Sequence, residues 1–457
     1  MVYNELAKKT LSTRRVNLIN LNSTPDTLSS TGGIVLAGKI FSKSGLSYGE
    51  SDTISKKERQ VLTILAGLQV QGRTRFAEIE QFRHDQLFRQ ALNLSRVYAP
   101  DTLRLYVEQI VSSASGRVHA FLDQVNLNLL QKVKLTSIVS QYGRYIPVDV
   151  DVSPLDNSRS HKEGVSRTYK GHDGYAPIFS YIGTEGYMLD QQLRPGKQHC
   201  QKETPEYLQA NLEKLEKLQL DTPILFRLDS GNDAFDTLKV LADSPHYFLI
   251  KRNLRREPHQ KWIDIAEGGN GSCYEPRPGK IVYTGVLTTS HPKAKEDSSL
   301  ALVDQVYRVT IRSTDHEGNA YLFPKSEVEV YWTNLYEDPE TVIELYHDHA
   351  TSEQFHSELK TDMNFERLPS GKLSVNKLLL HIAMISFNTL RCIGQAALEH
   401  EKLLPYRHKG KRKRLRKVID DIIRVAGKVV THARSLTLKI WDHDPWYPVF
   451  NQLYLQL

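Results

Sequence analysis

Apolar residues recur at helical spacing through the first part of the chain. The segment GGIVLAGKIFSKSG predicts a helix that begins after Gly33 and ends near Gly45. From residue 55 to residue 136 the pattern is helical throughout, in runs such as KKERQVLTILAGLQ and DTLRLYVEQIV. The sequence therefore predicts an all-helical N-terminal unit.

One part of this unit has the size of a helix-turn-helix. Between Phe82 and Ile110, two predicted helices flank a break at Asn93. If this part binds DNA, Arg96 and Arg104 are the candidate contacts. Helical hairpins that bind no DNA are more common, so both interpretations stay open.

At Arg144 the pattern changes to the alternation of a strand. In YIPVDVDVS the three valines occupy one face, and Asp149 and Asp151 occupy the other. Two neighbouring carboxylates repel each other unless a cation or a basic group lies nearby. The strand therefore predicts a metal or a basic partner on its acidic face.

The following segments alternate between strands and helices. Their predicted order up to residue 253 is β-β-β-α-β-α-β, which is the order of a ribonuclease-H-like fold. The fourth strand, TPILFRLDSG, is apolar until it delivers Asp229 at its C-terminal end. Residues 254–335 are rich in strands and predict a β insertion, which contains Trp262 and Trp332.

A helix follows the insertion. The residues Asp-Pro-Glu at 338–340 provide an N-cap, a proline at the first helical position and an acid in the first turn. On a continuous helix running through at least Lys360, the side chains of Tyr346, His349, Glu353 and Lys360 fall within an arc of roughly 60°. Such a stripe is either a solvated face or a metal-binding carboxylate flanked by phosphate-binding groups.

Charge is concentrated in one segment. Residues 407–417 contain eight Lys or Arg and no acid, whereas the whole chain has a net charge of +7, so the remainder is close to neutral. This segment predicts a contact with nucleic acid or another polyanion, or else a solvated linker. The candidate contacts are Lys411, Arg412, Lys413 and Arg414.

Composition favours an intracellular soluble protein. The three cysteines lie far apart in sequence, which favours a reducing compartment, and the polar start of the chain predicts no signal peptide. The most apolar segment, residues 378–390, is too short for a membrane span and contains His381 and Asn388. We expect a buried helix there and no membrane partner.

The spacing Tyr346-x2-His349-x3-Glu353-x6-Lys360 resembles the Tyr-x2-Arg-x3-Glu-x6-Lys signature of DDE insertion-sequence transposases. His349 stands where that family has Arg. Stretches before and after the signature, including GLQVQGRTRFAEIEQFRHDQLFRQALNL and NFERLPSGKLSVNKLLLHIAMISFNTLR, also resemble these transposases. The resemblance covers nearly the full length of the chain.

The resemblance implies an α/β fold with a ribonuclease-H-like core. A β-rich insertion interrupts this core, and the N-terminal and C-terminal regions are helical. The expected units are a DNA-binding domain at 1–140, the core at 141–253 and 336–400, the insertion at 254–335, and a basic helical region at 401–457.

The resemblance also implies a catalytic set of two Asp and one Glu that binds two Mg²⁺ ions, for which Mn²⁺ can substitute. Asp229 and Glu353 are two of these ligands. The first is Asp151, because Asp151-Val152-Ser153 is similar to the family's Asp-x-Thr, or else Asp149 on the same strand face. Tyr346, His349 and Lys360 are the implied phosphate contacts. Trp332 and Trp262 are the candidates for the family's base-stacking Trp, although a Trp in a strand is more often a core residue.

The implied activity is cleavage at the ends of an insertion sequence and strand transfer into target DNA, by cut-and-paste with a hairpin intermediate. The partners are double-stranded DNA and a second copy of the chain, in the cytoplasm of a prokaryote at the nucleoid. Two alternatives stay open. One is a nuclease with the same core that only hydrolyses DNA, and the other is a domesticated DNA-binding protein.

Overall fold

The structure is a computed structural model. It describes residues 22–49, 53–255, 257–269, 271–296, 298–408, 410–433 and 435–457. The helices are α1 (Ile34–Ser44), α2 (Lys56–Gln69), α3 (Gln86–Ala91), α4 (Pro100–Ser113), α5 (Ser115–Leu130), α6 (Thr204–Leu218), α7 (Phe235–Ala242), α8 (His259–Glu267), α9 (Pro339–His347), α10 (Ser352–Ser357), α11 (Leu373–Glu399), α12 (Leu415–Val418) and α13 (Tyr447–Gln456).

The strands alternate with these helices along the chain. They are β1 (Thr27–Ser29), β2 (Ile138–Val139), β3 (Arg144–Val152), β4 (Leu155–Asp156), β5 (Ser166–Arg167), β6 (Asp173–Tyr175), β7 (Ile178–Ile182), β8 (Tyr187–Gln192), β9 (Ile224–Leu228), β10 (Tyr247–Lys251), β11 (Gly271–Arg277), β12 (Lys280–Thr289), β13 (Val303–Thr314), β14 (Ala320–Thr333), β15 (Gly427–His432) and β16 (Ser435–Ile440).

The central sheet confirms the predicted ribonuclease-H-like fold. Its core strands lie in the order β8-β7-β3-β9-β10. β3 pairs with β7 antiparallel and with β9 parallel, and β9 pairs with β10 parallel. The chain thus enters the sheet at its centre, builds a meander to one side, and crosses over through α6 to the other side.

The register of β3 against β9 places the acids. Asp149 lies opposite Arg227, and Val150 lies opposite Leu228. Since side chains alternate along a strand, Asp151 projects on the same face as Asp149. Asp229 follows β9 by one residue and therefore comes level with Asp151 at the same edge of the sheet.

The insertion extends the core sheet. Its strands β11 to β14 pair antiparallel in sequence order, and β14 then pairs with β10, with Leu249 opposite Thr333. The predicted strand content is confirmed, but β14 is longer than predicted because it joins two predicted strands. The helix α8 at the start of the insertion was not predicted.

The N-terminal helices pack around a long helix from the other end of the chain. α1 and α2 begin and end where the sequence predicts, with Gly45 at φ +91° ending α1 and a Ser55–Glu58 capping box starting α2. α11 is the predicted buried helix; it is long and apolar enough to span a membrane by length and composition, but 83% of its most apolar stretch is buried. One apolar cluster joins α1, α2 and α11 to the C-terminal α13. The two ends of the chain therefore share one core.

The C-terminal region contains helices, as predicted, together with a hairpin that was not predicted. β15 and β16 pair antiparallel, and β1 from the N-terminal end pairs with β15. The residues of β16 alternate in exposure, whereas in β15 Val429 is the buried residue. The domain boundaries expected from the sequence stay a prediction.

The segment that carries Glu353 is not one regular helix, contrary to the prediction. α9 ends at His347, a 3₁₀ turn covers Asp348–Thr351, α10 follows, and a π-helical turn covers Glu358–Asp362. A 3₁₀ residue advances by about 120° and an α-helical residue by about 100°. The predicted common stripe is therefore broken, with His349 turned inward and Glu353 exposed.

Candidate active site

Asp151 and Asp229 form an acidic pair at the edge of the central sheet. Burial raises the pKa of Asp229, and the negative charge of Asp151 raises it further. Asn232 donates its Nδ2 hydrogen to Oδ1 of Asp229 over 2.7 Å. Asp229 thus has an amide as hydrogen-bond partner and a carboxylate as neighbour. A bound cation would relieve the repulsion between the two carboxylates.

His356 is a residue of this site that sequence analysis missed. Its Nε2 donates to Oδ2 of Asp151 over 3.1 Å, and its Nδ1 lies 3.3 Å from the Tyr181 hydroxyl oxygen. Burial opposes ionisation of Asp151, but the His356 hydrogen bond and charge hold its pKa below the usual value. The sequence contains one signal for His356. It follows Glu353 by three residues in a predicted helix, and such residues are neighbours on the helix surface.

Asp149 lies on the same strand face but has different surroundings. Arg227 donates from Nε to Oδ1 over 2.6 Å and from Nη2 to Oδ2 over 2.9 Å. Nδ1 of His349 donates to Oδ1 over 2.9 Å. Burial opposes ionisation of Asp149, but the charges of Arg227 and His349 hold its pKa below the usual value. Both oxygens of Asp149 are therefore already bonded within the protein, which favours Asp151 of the two alternatives as a metal ligand.

Glu353 differs from the acidic pair in its surroundings. Its side chain is exposed on α10, between the inward-facing His349 and His356. Burial raises the pKa of Tyr169, and the negative charges of Asp151, Asp229 and Glu353 raise it further. The hydroxyl of Tyr169 donates to the carbonyl of Val152 over 3.0 Å.

The acids fit a cation in part. Asp151 and Asp229 supply hard carboxylate oxygens, which are the ligands that Mg²⁺ prefers. Within the part of the chain that the structure describes, no group of three or more His, Cys, Asp or Glu side chains is close enough to hold a metal ion. Glu353 therefore stands beside the acidic pair without completing a three-ligand cluster.

The predicted phosphate contacts have different positions. Tyr346 is largely buried against Tyr331, with ring centroids 4.7 Å apart, and burial and the charges of Asp229 and Asp151 raise its pKa. The ammonium of Lys360 donates to the carbonyl of Pro154 over 2.7 Å, and burial lowers its pKa. Both side chains border the acidic pair. His349 does not face outward as predicted, because it donates to Asp149.

Neither tryptophan is available for stacking on a base, contrary to the prediction for Trp332. Trp332 is 2% exposed and donates its indole hydrogen to Asp233 over 3.1 Å. Trp262 is 1% exposed and donates to Glu257. Both indoles fill apolar space in the core and satisfy their one donor there.

The basic segment lies against the segment that carries Glu353, and only some of its charges face solvent. Arg412 donates to Gln354 and stacks 4.6 Å from the centre of the Phe355 ring. Arg414 pairs with Asp362 over 2.9 Å.

Lys411 and Lys413 differ within this basic segment. Lys411 is exposed. Lys413 is buried and pairs with Asp421 over 2.9 Å, which contradicts its prediction as a DNA contact. A buried ammonium that is paired inside the protein cannot reach a phosphate, and removing either partner leaves a buried charge without compensation.

The candidate DNA contacts of the N-terminal region are at the surface. Arg104 on α4 is about half exposed and lies 3.6 Å from Asp101. Arg96 is exposed in the connection between α3 and α4. That connection turns at Asn93, whose φ of +54° lies in the left-handed region and ends α3.

Comparison with known proteins gives one match that spans nearly the whole chain. A family model described as "Transposase DDE domain group 1" matches residues 11–457. No curated protein matches the chain in sequence. Among solved structures, the cryo-EM structure of a piggyBac transposase synaptic complex with hairpin DNA is 11% identical, with a TM-score of 0.41, over 85% of this chain and 80% of that chain.

Proposed function

Because the chain belongs to the family of DDE transposases, enzymes that cut and join DNA, we propose that Asp151, Asp229 and Glu353 are its catalytic acids. The observation that carries this proposal is that the register of β3 against β9 brings Asp151 and Asp229 level at one sheet edge, where the two carboxylates repel each other. In this proposal Glu353, which is exposed on a different element, would join the two Asp side chains when the metal and DNA are bound.

DDE domains use divalent metal ions, and we propose Mg²⁺ for this enzyme, with Mn²⁺ as a substitute. Asp151 and Asp229 would hold the ion, and Glu353 would join them. When bound, the metal supplies charge neutralisation at the phosphoryl group and activation of the attacking oxygen. Carboxylates at this position suit that chemistry because they are hard, anionic oxygen ligands.

The protein's own residues bind and orient the DNA. Lys360 and Tyr346 border the acids and would hold phosphates next to the cleaved bond. Since the carbonyl of Pro154 is the present partner of Lys360, the ammonium would exchange that carbonyl for a phosphate oxygen. The exposed charges Lys411 and Arg414 would contact the flanking duplex.

We propose cut-and-paste transposition at the ends of an insertion sequence. Water first cleaves a phosphodiester at the end of the element and leaves a 3′-hydroxyl. That hydroxyl then attacks a phosphodiester of the opposite strand, giving a hairpin, or of target DNA, giving the joined product. In each case the attacked phosphodiester breaks and releases a new 3′-hydroxyl on the flanking or target strand. A dimer holding two ends and a prokaryotic, nucleoid-associated location follow from this proposal.

The test uses a labelled duplex that carries the element's own ends, with Mg²⁺, and compares the wild type with Glu353→Gln. We expect nicks at the element boundary, followed by a hairpin or joined product, and loss of all products in the variant. A matched control is Glu344→Gln, because Glu344 is also an exposed acid on this helical segment but lies on α9, outside the proposed set.

Two other outcomes identify the alternatives. Nicks without any hairpin or joined product would indicate a nuclease that only hydrolyses DNA. Binding of the ends without metal-dependent cleavage would indicate a domesticated DNA-binding protein and would end the enzymatic proposal.

A further inference from the structure

Three buried polar side chains meet beneath the proposed catalytic acids. Asp149 comes from β3, Arg227 from β9, and His349 from the 3₁₀ turn after α9. Their side chains are 3%, 2% and 9% exposed. Nη1 of Arg227 also donates to the carbonyl of Leu345 in α9 over 2.7 Å, so Arg227 is bonded to both other segments.

Each of these residues precedes one proposed acid by a short distance in sequence. Asp149 precedes Asp151 by two residues, and Arg227 precedes Asp229 by two residues. His349 precedes Glu353 by four residues. Each of the three segments that carry the acids therefore contributes one residue to this cluster, and the hydrogen bonds of the cluster join the segments. Its hydrogen bonds are charge-assisted and lie away from water, where such bonds are strong and geometrically selective.

We propose that Asp149, Arg227 and His349 are positioning residues that hold the three acid-bearing segments in their relative places. His349 acts inward on Asp149 and does not contact DNA, although the family signature has Arg at its position. This inference rests on the proposed function, because it assumes that the three acids act together on a metal and a phosphate.

The contacts disfavour the two competing roles. As a DNA contact, His349 would need a free donor facing solvent, but its Nδ1 is bonded to Asp149 and the ring is nearly enclosed. As a metal ligand, Asp149 would need a free oxygen, but its two oxygens together accept three hydrogen bonds. Groups that orient metal ligands typically change metal affinity or activity by about 10- to 100-fold when removed.

The test compares His349→Leu with His349→Asn. The Asn amide can take the place of the Nδ1 donor and reach Asp149, whereas Leu fills the space without a donor. The first readout is the thermal stabilisation of the DNA-free protein by increasing Mn²⁺, which reports metal binding without catalysis. The second is affinity for the element's end without metal, and the third is the Mn²⁺ concentration that gives half-maximal cleavage.

We expect His349→Leu to raise the required Mn²⁺ concentration by about 10- to 100-fold in both metal assays. His349→Asn should recover most of that loss, and DNA affinity without metal should stay at the wild-type value in both variants. If the Leu variant does not fold, His349→Ala takes its place in the same assays, because it is smaller than His and also lacks the donor to Asp149.

Two results would overturn the inference. Weaker DNA binding by His349→Leu with an unchanged Mn²⁺ requirement would make His349 a DNA contact, and wild-type behaviour in every assay would remove its positioning role. Asp151→Asn separates these from failure of the proposed function. If the wild type shows no Mn²⁺ response, or if Asp151→Asn keeps it, the proposed metal site itself is wrong.

Discussion

Two carboxylates of one strand, Asp149 and Asp151, lie in opposite kinds of surroundings. Asp149 is 3% exposed and has a guanidinium and an imidazole as partners. Asp151 is 22% exposed, has an imidazole partner, and faces the like charge of Asp229. The charge of Asp149 is compensated within the protein. Asp151 and Asp229 together keep negative charge that a cation from outside the protein could compensate. The difference shows how one strand can supply both structural support and reactive groups.

The largest effect is expected for Asp229→Asn, which removes the charge that Asp151 faces. We expect cleavage to fall by about 10³-fold or more, since a proposed metal ligand is lost. The protein should become more stable by roughly 0.5–2 kcal/mol, because the substitution removes a partly buried charge and its repulsion by Asp151. Cleavage assays and thermal unfolding without metal measure the two effects. A loss of stability would mean that Asp229 has a structural role like that of Asp149.

Arg227→Met tests Asp149, the carboxylate whose charge is compensated within the protein. It should reduce the free energy of unfolding by about 3–5 kcal/mol, because the buried Asp149 loses the partner that compensates its charge. The control is Arg312→Met in the insertion, which breaks the more exposed Arg312–Glu327 pair and should cost less than about 1 kcal/mol. Urea unfolding measures both. Equal effects would show that burial of the pair does not matter.

The dependence of stability on pH should reflect the Asp149 cluster. The folded-state pKa of Asp149 is lowered by its partners, so its contribution is complete above the unfolded value of about 3.9 and is lost as pH falls through the folded value. Unfolding midpoints measured from pH 6 downward should therefore decline at acid pH, and Arg227→Met should decline less. An equally steep acid decline in the variant would assign this pH dependence to other carboxyl groups.

A smaller effect is expected for the buried lysine of the basic segment. Lys413→Met leaves Asp421 without its cationic partner, with only the Tyr406 hydroxyl still donating to it, and should destabilise the fold by about 1–3 kcal/mol. Affinity for the DNA ends should change little, because Lys413 does not face solvent. Denaturation and DNA binding under the same conditions distinguish the two results, and a selective loss of DNA affinity would restore Lys413 as a DNA contact.

The smallest effect is expected for the exposed lysine of the same segment. Lys411→Ala should leave stability unchanged and reduce the salt dependence of DNA binding by about one phosphate contact. Binding measured over a series of salt concentrations gives this slope. An unchanged slope would place the DNA elsewhere on the protein.

Regular periodicity made most elements predictable from the sequence. The alternation in YIPVDVDVS gave β3, and the apolar run before Asp229 gave β9, because these patterns report one buried face. The missed strand β16 carries a clear alternation of Leu436, Leu438 and Ile440, which the expectation of a helical C-terminal region overlooked, and β1 is only three residues long. The inward turn of His349 was not predictable, because a 3₁₀ turn inside a helical segment leaves the apolar spacing almost unchanged.

The sequence by itself determined the family, the order of the core elements and the acids that the family signature and the strand ends mark. Only the tertiary structure decided how those acids are used. Strand register placed Arg227 opposite Asp149, and the 3₁₀ turn brought His349 to the same carboxylate. The physical reason is that the role of a charged group depends on its burial and its partners, which come from segments far apart in the chain.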